Sequence, residues 1–331
     1  MEIASFFSGA GGLDLGFTNA GFRLVFANDN WKGCQKTFEE NHKVVLDTRP
    51  IAEITHEEIP EVVGFVGGPP CQSWSIAGAM RGSSDPRGQS FFDYISLVKN
   101  KKPLFFLAEN VAGIVSKSHV KEFEKILDQF RDEYDVEWKL LNTRDFGVPQ
   151  DRKRVIVIGY RKDLNKKFNF DNLSNSKIIT LREAIGDLPE NVVLVKKNRA
   201  NDNLNIPNHE HMDAGFSSQF LSRNRRRSWE EPSFTIQAQV RQAPIHPSSD
   251  EMIKKGPDEW VFKGGESAKH RRFSVRECAR IQTFPDEFVF HYKFVSDGYK
   301  MIGNAVPVKF AEVLANQIKE DLKDFLKIGN D

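Results

Sequence analysis

The residue of this chain best placed for covalent chemistry is a thiol, Cys71, in Pro69-Pro70-Cys71-Gln72. The apolar run Val62 to Val66 ahead of it reads as a short strand, and Gly67-Gly68 follows. A thiol needs ionising before it attacks. A strand exit leading toward a helix supplies backbone N–H groups and a positive dipole end that favour the thiolate. The bland alternative is a buried packing cysteine, a common fate of free thiols, and the stiff Pro-Pro frame speaks against it. Cys34 and Cys278 fall in helical patterns and read as packing residues.

A carboxyl group stands at a second strand end. Glu109, in Ala108-Glu109-Asn110-Val111, follows the apolar run Leu104 to Leu107. Desolvation there would raise its pKa toward a range useful for giving a proton to a ring nitrogen; the alternative is an acid at a helix N-terminus. Gln150-Asp151-Arg152-Lys153-Arg154 precedes another apolar run. In an extended segment Arg152 and Arg154 point the same way, toward one anion or carbonyl, unless the cluster is simply solvated.

The turn Phe7-Ser8-Gly9-Ala10-Gly11-Gly12 joins a strand to a helix. Its glycines permit a tight turn and close approach of a ligand. The spacing of Gly9, Gly11 and Gly12 is neither a phosphate-binding P-loop nor the dinucleotide fingerprint, which points to an adenosine without a pyrophosphate. Asp29, after the second strand, is placed to take ribose hydroxyls. Trp31 offers a stacking face, and Asp47, ending the third strand, an acceptor for an adenine amino group. A plain glycine turn with ordinary helix caps is the alternative.

Arg223-Asn224-Arg225-Arg226-Arg227 has four arginines in five residues, and Arg241 follows Thr235-Ile236. Arginine is the usual bidentate reader of guanine in the major groove; a solvated basic loop is the alternative. Net charge over all 331 residues is only +1, so local clusters matter more than the sum. Apolar content of 39% and charged content of 28% describe an ordinary soluble protein. No apolar run approaches a membrane span, and the N-terminus lacks the basic region of a signal peptide. Three cysteines cannot all pair, which fits a reducing, cytoplasmic compartment. No Cys/His spacing resembles a zinc site.

The elements that must hold these residues alternate. Strands are expected at 2–7, 22–27, 44–46, 62–66, 104–107, 136–141 and 155–159, with a helix from about Leu13 and another over 119–134. Regular alternation predicts a doubly wound α/β sheet, with ligands at the C-terminal strand ends. The pattern fades after about residue 165. Residues 199–250 carry no long periodic run, so a smaller irregular domain is expected. A short helix at 275–281 and a final helix at 307–326 return regular structure.

In this order, Phe7 to Gly12, Gly68 to Ser73, Glu109-Asn110-Val111, Gln150 to Arg154, Arg276 to Arg280 and Gly303-Asn304-Ala305-Val306-Pro307 resemble the DNA cytosine-5 methyltransferases. The set spans nearly the whole chain. The resemblance implies a Rossmann-like catalytic domain at 1–171 that binds S-adenosylmethionine and releases S-adenosylhomocysteine, with no metal. It implies a target-recognition domain at 172–273 and a return segment at 274–331. It also implies a cytosine flipped out of duplex DNA, Cys71 adding to its carbon-6, Glu109 at nitrogen 3, Arg154 at the carbonyl and Arg152 in a supporting, phosphate-side role. Phe7, Gly9, Gly11, Gly12, Asp29, Trp31, Asp47, Thr48, Pro69 and Val306 would face the cofactor. Asn304, also expected near the cofactor, would hold the target-domain junction. Ser75, Arg87 and Gln150 would meet DNA. One departure is Asp29, where many members carry glutamate. The segment from Ser222 to Gln242 resembles that of the GGCC-reading Haemophilus members, which implies that Arg225, Arg227 and Arg241 read guanines, with Arg223 alongside. Such an enzyme would act as a monomer in the bacterial cytoplasm, beside a separate restriction endonuclease. The rivals are a tRNA methyltransferase of the same fold, a silent DNA-binding relative, and a nucleotide-dependent dehydrogenase. The run 76–92 is expected to be a mobile loop that closes over the flipped base.

Overall fold

The computed structural model describes residues 1–70, 86–195, 197–201, 203–212, 215–216 and 219–326, the side chains of 86–88 and 326 excepted. Contacts divide the chain into two units: Met1–Asn142, Lys153–Ser174 and Phe310–Asp331 in the first, Thr143–Arg152 and Asn175–Lys309 in the second. Residues 274–309 thus group with the second unit, and so does 143–152.

The first unit is a seven-stranded sheet with helices on both faces. Its elements are β1 (Glu2–Phe6), α1 (Gly12–Asn19), β2 (Arg23–Asn28), α2 (Gln35–His42), β3 (Leu46–Asp47), β4 (Gly64–Gly67), α3 (Pro86–Lys101), β5 (Phe105–Val111), α4 (Val120–Arg131) and β6 (Tyr134–Asn142). After β7 (Gln150–Asp151), which belongs to the second unit, β8 (Lys153–Arg161) completes the sheet. The strand order is β3-β2-β1-β4-β5-β8-β6. The first five strands run parallel and β8 runs antiparallel to both neighbours. No crossover helix separates β6 from β8, so that pair is antiparallel. The order reverses between β1 and β4, the switch point where open α/β sheets bind ligands. This is the doubly wound, Rossmann-like α/β architecture expected from the alternation.

Register brings the candidate residues to one edge. Phe6 pairs with Asn28, Asn28 with Asp47, Phe6 with Gly67 and Gly67 with Ala108. The strands at the centre are buried on both faces, as parallel strands in such folds are. On one face Phe6, Phe65 and Phe106 pack with Tyr94, Leu127 and Phe130. On the other, Phe105 meets Phe17 and Phe22. Two glycines accommodate these rings. Gly64 is paired with Phe105 and Gly159 with Phe106. A methyl built on either glycine would lie 2.1 Å from the partner ring.

Several elements differ from the sequence-based boundaries. β5 continues through Glu109, Asn110 and Val111, because β8 keeps pairing with it to Arg154. Residues 86–92 are helix, not loop: α3 starts at Pro86, a residue suited to the first helical turn. Residues 76–85 of that expected loop lie outside the described residues. The last helix, α8 below, ends at Asp321, and a short turn of helix follows at Lys323–Leu326.

The second unit is built of short pieces. β7 pairs with β11 (Ser233–Phe234), β9 (Val193–Val195) with β10 (Glu210–Met212), and β12 (Met252–Gly256) forms a hairpin with β13 (Glu259–Phe262). Its helices are α5 (Leu181–Ile185), α6 (Val275–Ile281) and α7 (Val295–Asn304). α8 (Val308–Asp321) starts in this unit and continues in the first. Loop carbonyls that no sheet satisfies are taken by buried guanidinium groups. Arg276 donates to the Pro207, Pro285 and Phe288 carbonyls. Arg272 donates to those of Val240, Gly215 and Arg241.

Gly159→Ala should destabilise the first unit by about 1–3 kcal/mol, the usual cost of overpacking, read by urea unfolding. Gly113→Ala, where an added methyl meets nothing within 4 Å, is the control expected to change little. Equal stability of the two variants would refute the ring–glycine account.

Candidate active site

The turn after β1 is fixed by backbone geometry. Phe7, Gly9 and Gly11 all have left-handed φ values, +56°, +56° and +85°. Ser8 N donates to Asn28 O (3.1 Å) and Gly11 N to Ser8 O (2.8 Å). Asp29 secures the turn from β2: Oδ2 accepts from Gly9 N and Oδ1 from Trp31 N, each at 2.8 Å. Asn28 reaches sideways, its Nδ2 donating to the carbonyls of Asp47 (2.9 Å) and Arg49 (2.8 Å). A methyl built on Gly9 would meet no atom within 4 Å. The Gly9 face of the turn is therefore open, with Asp29 at its side. Gly12 begins α1. The Trp31 ring lies across Gly33, where a methyl would come within 2.5 Å of it.

Asp47 sits in register beside Asn28, but its carboxylate has a protein partner. Arg49 Nε lies 3.1 and 3.0 Å from its two oxygens and Nη2 2.6 Å from Oδ2. Arg49 also reaches Glu58 at 2.9 Å. The Arg49 guanidinium holds the Asp47 carboxyl below the usual carboxylate range. Arg49 was not legible as a site residue. Thr48 is half-buried between the two.

Around the end of β4, Pro69 is buried and Asn110 donates to its carbonyl at 2.9 Å. Glu109 lies on the neighbouring strand, its Oε2 3.3 Å from where a methyl on Gly68 would sit. A side chain at position 68 would press the carboxylate back by a few tenths of an ångström. Glu109 has a cationic neighbour. Arg154 is its diagonal cross-strand partner on β8, with Nε 2.6 Å from Oε1 and side chains 12% and 10% exposed. The pair is ionic without an aligned N–H···O bond. Cys71 and Ser75 lie outside the described residues, as does the Arg87 side chain.

Two expectations are overturned. Arg152 does not share a face with Arg154: the chain leaves β7 at Arg152 and enters β8 after it. Arg152 is 1% exposed and donates to the carbonyls of Ile236 (3.1 Å), Gly303 (2.9 Å) and Ala305 (3.0 Å). Its guanidinium organises the second unit. Gln150, expected at DNA, is fully buried at 0%; its amide joins Gln282 (2.9 Å) and Ile236 N (2.8 Å). Gln282, a residue the motifs did not single out, also bonds the Ile302 carbonyl at 2.8 Å. This network supports the Gly303–Pro307 segment, in which Asn304 is exposed and Val306 buried. Gly303 packs against the backbone of Gln237 and Ala238, a methyl there meeting it at 2.3 Å.

The arginine run divides by use. Arg225 donates to Phe220 O (2.7 Å) and lies over the Phe220 ring. Arg226 donates to Ser249 and Pro247 carbonyls. Arg227 is held by Glu231 (2.7 Å) and Asp151 (3.1 Å) above the Phe234 ring. Arg223 and Arg241 are exposed and make no ion pair with the described residues.

Among the described residues, no group of three His, Cys, Asp or Glu side chains stands close enough to hold a metal ion. No helix there is long and apolar enough to cross a membrane. Cys34 and Cys278 are buried.

A family model described as C-5 cytosine-specific DNA methylase matches residues 1–320. A type II methyltransferase of Methanothermobacter thermautotrophicus, M.MthTI, is 62% identical over 98% of this chain and 99% of its own. M.FnuDI of Fusobacterium nucleatum is 48% identical over 99% and 97%. A solved prophage-encoded chain described as a DNA modification methyltransferase (E. coli) superposes with TM-score 0.72 over 98% of this chain and 99% of its own, at 23% identity. These findings correct the expected kinship with the Haemophilus GGCC enzyme. A Haemophilus parahaemolyticus methyltransferase is 34% identical over 96% of this chain and 86% of its own, well behind the archaeal relative at 62%. That archaeal likeness also removes the ground for a specifically bacterial setting.

Asp14, in the first turn of α1, is fully buried, and burial pushes its carboxyl up to about 7 against the pull of the Ser5 hydroxyl. Folding therefore retains a proton that the unfolded chain releases between about pH 4 and 7, and stability from this group is lost as pH rises through that window. Asp14→Asn should be more stable than wild type at pH 8 by roughly 2–4 kcal/mol and nearly equal at pH 4. Parallel urea-unfolding curves of the two proteins at every pH would contradict this.

Proposed function

Because the chain belongs to the C-5 cytosine-specific DNA methylase family and is a cytosine-5 DNA methyltransferase, we propose that it modifies the inner cytosine of GGCC in duplex DNA through a covalent Cys71 adduct. The observation that carries the mechanism is the Glu109–Arg154 pair beside Gly68, three residues before Cys71. The carboxyl and guanidinium groups come from neighbouring strands, and Cys71 follows β4 by four residues in the sequence.

Carbon-5 of cytosine is a poor nucleophile. The Cys71 thiolate adds to carbon-6 of the flipped base, and Glu109 stabilises or protonates nitrogen 3 as electron density moves into the ring. Carbon-5 thereby gains enamine character. Arg154 orients Glu109 and donates to the carbonyl at carbon-2. Once carbon-5 has taken the methyl group, a base removes the carbon-5 proton, nitrogen 3 gives back any proton it took from Glu109, and Cys71 leaves as the thiolate, which restores the aromatic ring. S-adenosylmethionine supplies an electrophilic methyl group on a sulfonium.

The residues of the sheet edge fit that cosubstrate. The open Gly9 face admits an adenosine, Asp29 stands beside it for the ribose hydroxyls, and Trp31 and Phe7 flank the space. Asp47 and Thr48 stand at the adenine end and Pro69 at the methionine end. Arg223 and Arg241, the two exposed guanidinium groups of the recognition segment, are assigned to guanine reading or phosphate contact, and Arg225 and Arg227 to shaping the surface that presents them. The enzyme acts as a monomer on DNA in the cytoplasm and protects sites from a separate endonuclease of the same specificity.

Labelled S-adenosylmethionine offered with duplexes carrying GGCC or single-base variants, followed by base-resolution mapping, tests the reading. Methyl on the inner cytosine of GGCC alone is expected. Methylation of another motif would discard the target, and transfer to tRNA alone would discard duplex DNA as substrate. Cys71→Ala should abolish transfer, and Glu109→Gln should lower kcat by about 10²–10⁴. Arg223→Ala and Arg241→Ala separate two roles. A base reader loses about 1–3 kcal/mol of discrimination at one position, whereas a phosphate contact weakens all sequences alike and lowers the salt slope by about 1.

A further inference from the structure

The glycine turn is supported from behind by a side chain that the chemistry above does not use. His42 is the last residue of α2, and its Nε2 lies 3.1 Å from the Ala10 carbonyl. A carbonyl only accepts, so Nε2 carries the hydrogen and donates it. The same ring fills the space a side chain on Gly11 would need: a methyl there would lie 1.9 Å from Nε2. Phe38, one helical turn earlier and fully buried, packs against the imidazole with ring centroids 4.4 Å apart and fixes its rotamer. The turn thus has two clamps on successive residues. Asp29 takes the Gly9 N–H from the β2 side, and His42 gives a hydrogen to the Ala10 carbonyl from the α2 side. The back of the turn at Gly11 is closed by His42, and the front at Gly9 is open.

We propose that His42 is a positioning residue for S-adenosylmethionine binding, holding the Gly9–Gly12 turn in its left-handed conformation by donating to Ala10 O and by packing on Gly11. The inference rests on the reading that this turn receives the cosubstrate. Burial holds the imidazole down at about 4, so the ring is neutral at physiological pH and adds no charge beside the sulfonium.

The test is S-adenosylmethionine binding by titration calorimetry, with KM and kcat on an unmethylated GGCC duplex, for the full-length wild type and three variants. His42→Phe keeps a ring on Phe38 and Gly11 but has no N–H. His42→Met fills the space flexibly and covers the case in which the Phe variant does not fold. His42→Gln returns an N–H donor. The Phe and Met variants should raise Kd and KM for S-adenosylmethionine about tenfold, the loss of one partly buried hydrogen bond. Their kcat at saturation and KM for DNA should stay near wild type, and the Gln variant should recover most of the affinity. A merely structural histidine would lower the melting temperature of every variant and leave KM for the cosubstrate alone. Folded Phe or Met variants that bind within twofold of wild type would overturn the proposal. A wild type that does not bind S-adenosylmethionine would instead overturn the reading of the turn.

Discussion

Parallel pairing in register is the constraint on which the rest depends. Once Phe6 is opposite both Asn28 and Gly67, the residues after β1, β2, β3 and β4 must emerge on one edge of the sheet. The glycine turn, Asp29, Asp47 and the Pro69-Pro70 turn are adjacent for that reason alone. β5 then overshoots by three residues, and that excess carries Glu109 and Asn110 past Gly67 to the start of the Pro-Pro segment. Asn110 tethers Pro69, and Glu109 lies over Gly68. A shift of one residue would turn Glu109 to the opposite face of the sheet.

Much of the first unit was legible because its signals are local. Apolar runs of four to six residues mark strands, and glycine clusters mark their exits. What was not legible depends on partners distant in sequence. β5 was read as ending at Leu107, since Glu109 and Asn110 interrupt the apolar run, yet β8 extends the pairing to Val111. The alternation rule put Arg152 and Arg154 on one face. It fails because the chain is not one strand there, and Arg152 turns to three carbonyls of the second unit. The family resemblance puts Gln150 at DNA, but its amide completes a buried network with Gln282. The arginine run gave composition without direction. Tertiary contacts separate Arg225 and Arg226, bonded to the carbonyls of Phe220, Ser249 and Pro247, from Arg223 and Arg241.

The second unit shows how a chain with little sheet can still be ordered. Arg152, Arg225, Arg226, Arg272 and Arg276 donate mainly to backbone carbonyls. Guanidinium groups do here what ladders do elsewhere, satisfying peptide oxygens that would otherwise be buried alone. Arginine fits this use because it presents five donors in a rigid fork and does not lose its charge when desolvated. Net charge is therefore a poor guide to DNA affinity in this protein, since several of its arginines are spent inside the fold.

The ring–glycine pairs at the sheet centre have a consequence for how this architecture can vary in descent. Phe105 needs Gly64 and Phe106 needs Gly159, on opposite faces of one strand. Neither member can drift by itself: a side chain at 159 is admissible only after the ring at 106 has shrunk, and loss of that ring alone leaves a void beside Phe130 and Tyr134. Lineages that differ at one of these positions must differ at its partner, so the two pairs behave as two inherited units and not as four independent sites.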